Sequence, residues 1–363
     1  MANQCKHIAI VGPLPPPAGG MANQTKQLAS FLSSEGLEVS VIQVNPAYQP
    51  AWVGKLPMFR AAVRLWQYQA TLKKALKDVD VVHIMANSGW SWHLFAAPAI
   101  RIANRYNKRV IVNYRGGYAA DFFAKSWSKV KTTMDLADQI VVPSPFLQQV
   151  FEQYGKESVI VPNVLNQQRF NAAKRTASHQ PTVIVTRNLE AIYDIATAIK
   201  VFANIYQQFP QAQLKVAGTG PELANLRQLC QQLNIEQAVS FLGRLAPDDM
   251  AALYQSADLM LNTSIVDNSP NSLIEALACG TPVVSTNVGG IPKLVTHQQD
   301  ALLADAEDVD TLTEQSLAIL QDQVLTDKLV TNGFKTVEKF SWPSVWQQLQ
   351  HCYCESSKEP SYV

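Results

Sequence analysis

Short runs of β-branched and aliphatic residues alternate with longer segments of helical periodicity from one end of the chain to the other, the pattern of parallel strands joined by crossover helices. The first half predicts strands over His7–Val11, Glu38–Val44, Val81–Met85, Arg109–Tyr114, Gln139–Pro143 and Ser158–Val161. A second series follows: Thr182–Thr186, Gln213–Ala217, Val239–Leu242, Leu259–Asn262, Pro282–Thr286 and Ala301–Leu303. Two sets of six predict an α/β protein with two doubly wound, Rossmann-like sheets. The chain turns polar and aperiodic from Pro162 to about Gln180. This places a first domain over 1–165, a linker over 166–180 and a second domain over 181–340. Phe340-Ser341-Trp342-Pro343 opens a last helix through about His351, with Ser341 as its N-cap, and the segment 341–363 is expected to pack back on the first domain.

Length agrees with that division, since 363 residues are too many for one ordinary core. A hydrophobic content of 47% with 16% charged residues is that of a globular chain. No apolar run reaches membrane-spanning length, and the short run Ile8–Val11 is stopped by Gly12 and the prolines at 13 and 15–17, so neither a span nor a secretory signal is expected. The cytosol, with its five cysteines reduced, is the expected setting. The net charge of +1 hides an asymmetry. Residues 1–180 hold 20 Lys and Arg against 9 Asp and Glu, a balance of +11; residues 181–363 hold 10 against 20, a balance of −10. A basic first half suits a lipid head group, a lipid-linked diphosphate or a membrane surface, while opposite charge could equally serve to keep two domains apposed. No nucleic-acid partner is called for. Lys55–Asp80 reads as a basic helix, with Leu56, Phe59, Val63, Trp66 and Leu72 against Arg60, Arg64, Lys73, Lys74 and Lys77. Such a helix either lies on anionic lipid or presents a solvated charged face.

The most informative segment is Asp267-Asn268-Ser269-Pro270-Asn271-Ser272-Leu273-Ile274-Glu275, which runs on to Gly280-Thr281-Pro282-Val283-Val284. A polar turn after a strand leads through Pro270 into a helix, and Gly280 closes that helix before the next strand. The amides of Asn271 and Ser272 would form a positive helix terminus suited to a diphosphate. Glu275, one turn in, can accept hydrogen bonds from a ribose diol, and Asp267, just outside the helix, is free to hold sugar hydroxyls. As structure alone, the same residues would be an Asx turn, a surface-helix acid and a C-cap.

This segment resembles glycosyltransferase family 4, the retaining enzymes of GT-B architecture, in which an acidic residue precedes a Glu by eight positions and a small-residue run leads to Gly-x-Pro-Val-Val. Asp267 stands where the family usually has Glu, which shortens the reach to the sugar; Glu275 matches. The similarity covers the whole chain. Gly218 and Gly220 in Ala217-Gly218-Thr219-Gly220-Pro221-Glu222, then Phe241–Leu245 and Gly289-Gly290-Ile291-Pro292, follow in the family's order. Gly19-Gly20 looks like the pair that lets donor phosphate approach the first domain's backbone. Two positions depart. The family's Arg and Lys clamp, five residues apart, is here Arg187, followed by Asn188, with Ile192 where the Lys would be. Arg115, in Asn113-Tyr114-Arg115-Gly116-Gly117, takes the place of a His near the reacting carbon; it cannot act as a base and would work electrostatically.

The resemblance implies two Rossmann-like domains facing across a cleft, a UDP- or GDP-hexose as co-substrate with no further cofactor and no metal, and a lipid-linked or oligosaccharide acceptor in cell-surface polysaccharide or glycolipid synthesis. Arg187, the Asn271–Ser272 amides and the glycine loop would neutralise the departing diphosphate while the acceptor enters on the face it vacates. His83, at the end of the third strand, is either a cleft-rim residue or a core histidine, and Asp78-Val79-Asp80 reads as a solvated turn rather than a metal motif. Two rivals stay open: a catalytically silent nucleotide-sugar binding protein, and a GT-B sugar-nucleotide epimerase. A nicotinamide enzyme is disfavoured because Gly12-Pro13 breaks the Gly-x-Gly-x-x-Gly pattern.

Overall fold

The computed structural model describes residues 5–16, 20–46, 57–172 and 180–354, of which 57–60 are described by backbone alone. The chain divides into two compact units, Leu165–Ser341 and the remainder, so the C-terminal helix belongs with the N-terminal part and residues 165–172, placed in the expected linker from 166 on, belong with the second unit.

In the first unit, β1 (His7–Gly12), β2 (Glu38–Gln43), β3 (Val81–Ala86), β4 (Arg109–Tyr114), β5 (Gln139–Val142) and β6 (Val159–Ile160) form one parallel sheet in the order β2-β1-β3-β4-β5-β6. Its helices are α1 (Gly20–Ser34), α2 (Pro57–Ala75), α3 (Ala97–Arg105), α4 (Ala119–Met134) and α5 (Pro145–Gln153). The second unit repeats the plan. There β7 (Thr182–Val185), β8 (Gln213–Ala217), β9 (Val239–Gly243), β10 (Leu259–Asn262), β11 (Val283–Thr286) and β12 (Leu302–Ala304) are ordered β12-β11-β10-β7-β8-β9. Helices α6 (Ile195–Gln208), α7 (Leu223–Gln232), α8 (Pro247–Ser256), α9 (Asn271–Ala278), α10 (Ile291–Leu294), α11 (Val309–Gln321) and α12 (Gln323–Val337) surround it, and α13 (Trp342–Cys354) returns to the first unit. Central strands such as β3 and β10 are buried along their whole length, as parallel strands covered on both faces must be.

One device sets register in both sheets. Asp80, Asp138 and Asp258 each stand immediately before a strand, and each carboxylate accepts the amide of the residue opposite: His7 at 3.0 Å, Val110 at 2.8 Å and Thr182 at 2.8 Å. The backbone amide of the same aspartate donates back to that residue's carbonyl. The strands are thereby paired one position later, Val81 beside Ile8, Gln139 beside Ile111 and Leu259 beside Val183. Asp80, read from sequence as part of a solvated turn, is exposed, yet it is one of these latches, and Val79 beside it is buried.

The α13 helix covers one face of the first sheet. Val345, Leu349, Cys352 and Tyr353 pack on Ile8, Ile10, Val81 and Ile111, and the Trp342 ring stacks on Phe31 with 4.9 Å between centroids. His83 lies under this helix in mid-strand, with no exposed surface, its ring between the Tyr353 hydroxyl at 2.9 Å and the Asn113 carboxamide at 3.0 Å. Burial, aided by Arg115, pushes its pKa down to about 3, so it is a neutral core histidine and not a rim residue. The α2 helix also differs from expectation. Tyr68 and Leu72, continued by Leu76 just past the helix end, form its buried row, whereas Trp66, expected on the apolar face, is 72% exposed. Two residues of helix turn a side chain by about 200°, which carries position 66 away from the row that 68 belongs to.

The latches define a stability prediction. Asp258→Ala, which orphans the Thr182 amide at the start of β7, is expected to lower unfolding free energy by about 1.5–3 kcal/mol, and Asp258→Asn to recover part of it through its carbonyl oxygen. Urea denaturation of the two variants, compared at unchanged m-value, tests it.

Candidate active site

In the second sheet the strand order reverses at β7, with β8 on one side and β10 on the other. Loops leaving the carboxyl ends of β7 and β10 therefore diverge, which opens the crevice where open α/β sheets take ligands. Arg187 sits on the first of these loops and Asp267 on the second.

Both loops are held by glycines. A Cβ on Gly218 would stand 2.0 Å from the Arg187 carbonyl oxygen, and one on Gly220 2.2 Å from that of Leu189. Likewise a Cβ on Gly289 would meet the Asp267 carbonyl at 1.9 Å and one on Gly290 that of Asn268 at 1.8 Å. Only glycine permits such approach, and the Gly290 amide uses it to donate to the Asp267 carbonyl at 3.0 Å. Gly218 and Gly220, expected among the donor-binding residues, thus have a structural task in seating the Arg187 loop. Polar residues at the end of β10 complete the seat. Buried Asn262 accepts from Ser264, and Thr286 donates to the Ser264 carbonyl.

With the loops so placed, the Arg187 guanidinium forms an ion pair with the Asp267 carboxylate, donates to the Ser272 hydroxyl at 3.3 Å and lies 4.2 Å over the ring of Tyr193. The two charged side chains are only 12% and 10% exposed. Arg187 Nε is buried without a hydrogen-bond partner, so the cation has donor capacity to spare. Burial raises the Asp267 carboxyl above its usual range, against the pull of Arg187 and the Asn268 amide. At the position of the absent lysine, the Ile192 carbonyl accepts from Ile265 at 2.9 Å, tying the two loops through backbone.

The α9 helix opens at Asn271 next to this pair. Pro270 occupies the cap position without a side-chain cap, so the positive end of the helix faces this pair. It ends at Gly280, whose φ of +73° suits glycine at that place. Glu275 lies one turn in, partly buried, and its Oε2 accepts from the Tyr254 hydroxyl at 3.2 Å. Burial pushes its pKa up to about 7, with Tyr254, Arg169 and Arg187 pulling it down.

The structure therefore brings together Arg187, Asp267, Asn271, Ser272 and Glu275. Asn188 is exposed and donates to Glu190 at 3.0 Å. Arg115 belongs to the first unit, after β4. There it lines a small pocket with Gln24, Asn113 and Leu349, and donates to Asn163. Its Nε is buried without a partner, and burial lowers its pKa to about 10. Gly20 opens α1 with free space around it, and Gly19 lies outside the described residues. Sequence reading missed Tyr193, Tyr254 and Thr186, none of which carries a spacing signal; only the packing of separate loops shows them. Among the described residues no three His, Cys, Asp or Glu side chains cluster as metal ligands would.

Comparison with known proteins gives the family and the fold. The family model for Glycosyl transferases group 1 matches residues 166–336, and that for Glycosyltransferase Family 4 matches residues 18–169. The N-acetyl-alpha-D-glucosaminyl L-malate synthase of Bacillus anthracis is 31% identical over 167 residues, 46% of this chain and 43% of that protein, so the match spans less than half of that relative. The phosphatidyl-myo-inositol mannosyltransferase of Mycobacterium leprae is 22% identical over 92% of both chains. Anabaena HepE, solved in complex with UDP and glucose, superposes with a TM-score of 0.69 over 97% of this chain and 100% of its own. At 17% identity that likeness establishes the shared fold, the GT-B architecture.

The shift at Glu275 sets a pH dependence. An unfolded glutamate ionises near 4.5, whereas this one stays protonated to about 7. Stability from the neutral form is thus complete below pH 4.5 and is lost as pH rises through 7, a difference on the order of 1–3 kcal/mol. Glu275→Gln is expected to flatten this dependence and to raise the melting temperature at pH 8; thermal melts of both proteins from pH 4.5 to 8 measure it.

Proposed function

Because the chain belongs to the group 1 glycosyl transferases, we propose that it transfers a hexose from a UDP- or GDP-sugar, with retention, to a lipid-linked or oligosaccharide acceptor. The observation that carries this reading is the cluster at the β7/β10 reversal: a desolvated arginine with spare donors, an uncapped helix N-terminus beside it and a carboxylate one turn along the helix. A nucleoside diphosphate fits that set, its phosphates on Arg187 and the Asn271–Ser272 amides and its ribose on Glu275. The UDP and glucose bound by HepE support a nucleotide-sugar here.

Chemistry follows from charge. Cleaving a sugar–phosphate bond builds negative charge on the leaving diphosphate, and the guanidinium and helix amides stabilise it more as it grows. Asp267 pairs with Arg187 in this state; when phosphate takes over the guanidinium, the carboxylate is released to accept from the hydroxyls of the transferred sugar. Arg115, a cation in the first unit with an unused donor, acts on the acceptor side. Ile192 in place of the clamp lysine and Arg115 in place of the histidine motivate one rival, a protein that binds nucleotide-sugars without transferring them; product formation across a panel of lipid and oligosaccharide acceptors separates the two.

Thermal shift against UDP, GDP, uridine and guanosine tests the donor assignment. Wild type should be stabilised by one of the diphosphates. Arg187→Ala should lose about tenfold to a hundredfold in affinity for it while keeping its response to the nucleoside; no diphosphate response in wild type rules the assignment out.

The exposed residues Trp66, Lys73 and Lys74 of α2, with Lys77 in the turn after it, suit the headgroups of an anionic membrane, where a lipid-linked acceptor would be found. Reversing the three lysines to glutamate should abolish sedimentation with phosphatidylglycerol vesicles and leave transfer to a soluble acceptor intact. Equal sedimentation of both proteins would remove the membrane contact from the proposal.

A further inference from the structure

Tyr254 lies on α8, 1% exposed, with its hydroxyl 2.9 Å from the Thr186 hydroxyl at the end of β7 and 3.2 Å from Glu275 Oε2 on α9. One phenol thus joins three segments that are remote in sequence. Resting on the reading of Glu275 as the ribose-binding residue, we propose that Thr186 and Tyr254 form a hydrogen-bonded relay that orients Glu275 and keeps it an acceptor, so that Tyr254 is a positioning residue for recognition of a ribonucleotide over a deoxyribonucleotide.

The direction of the relay follows from counting protons. Above about pH 7, where Glu275 is ionised, its carboxylate has none to give, so the Tyr254 hydroxyl donates to it. Its only proton is then committed, and the Thr186 hydroxyl donates to the phenol oxygen. Burial, and the neighbouring Glu275, hold the phenol far above its usual pKa, so it never loses that proton in the working range. Tyr254 occupies Oε2 from one side and leaves Oε1 without a protein partner among the described residues. A ribose diol supplies the two O–H donors that such a half-satisfied carboxylate lacks. Without the phenol, Glu275 would have neither a fixed rotamer nor a donor opposing its protonation.

The charged and titratable groups facing this carboxylate are Tyr254 from α8, Arg169 from the segment before β7, and Arg187 from the loop after it. Arg169 is itself paired with Asp248 at 2.6 Å. A pH effect on removing the phenol that is absent in a Glu275→Gln background reports Glu275.

The experiment measures, by calorimetry, binding of UDP, 2′-deoxy-UDP and 3′-deoxy-UDP, with GDP and its deoxy forms in parallel, to wild type, Tyr254→Phe, Thr186→Val and Glu275→Gln. Phenylalanine fills the same space, and a melting curve for each variant confirms folding. Tyr254→Phe should weaken the ribonucleoside diphosphate about tenfold and leave at least one deoxy form within about twofold of wild type. The pH below which binding weakens should move upward, Thr186→Val should give a smaller loss of the same kind, and Tyr254→Phe should add nothing in a Glu275→Gln background. Equal losses for ribo and deoxy ligands, or a ribose preference unchanged in Tyr254→Phe, overturn the relay alone. A wild type that binds ribo and deoxy forms equally, or neither diphosphate at all, overturns the ribose assignment beneath it and the relay with it.

Discussion

An arginine and an aspartate held together out of water organise the second unit's site. Removing either charge from solvent costs several kcal/mol, and the pair persists only where further hydrogen bonds complete both partners. Arg187 has Ser272 and the face of Tyr193; Asp267 has the Asn268 amide. That environment exists because two pairs of glycines let the loops carrying the charges nest against neighbouring backbone within a distance no other residue allows. The ion pair is the visible end of a backbone arrangement.

Such a pair is well matched to a transferable anion. A guanidinium already aligned on a carboxylate meets a phosphate with its fork geometry in place, at the expense of losing its present partner. The released Asp267 then needs donors, and sugar hydroxyls supply them. Under the proposed function, an intact glycosyl nucleotide would offer both halves of this exchange and a bare diphosphate only one, so the same two residues would both hold the donor and favour departure of the spent nucleotide. Glu275 follows a different logic. It is set by a single phenol reaching in from another helix, and its burial keeps it near the boundary between neutral and charged at physiological pH.

Much of this was legible in the sequence. The strands were readable because parallel strands are short apolar runs buried on both faces, and Arg109–Tyr114, Gln213–Ala217 and Leu259–Asn262 occur with the expected bounds. Asp267, Ser272 and Glu275 were readable because they lie within nine residues on one turn and helix, where local spacing is enough to bring side chains near one another. Sequence leaves His83 open between rim and core, and misplaces Trp66, for the opposite reason. One owes its burial to a helix some 270 positions away, and the other's exposure depends on which helical row the sheet selects.

By itself the sequence determined the alternation of strands and helices, the division into two sheets, and the acids of the polar turn and helix after β10, since each is a matter of local periodicity or a fixed spacing; Arg187 was marked out by the resemblance to the family. Tertiary structure alone decided that Arg187 pairs with Asp267, that Gly218 and Gly220 serve the loop beneath the cation, that three aspartates latch strand register, and that Tyr254 stands between Thr186 and Glu275. All of these join residues distant in the chain, and no local preference specifies such a meeting; it follows from how loops and helices pack once the sheet has formed.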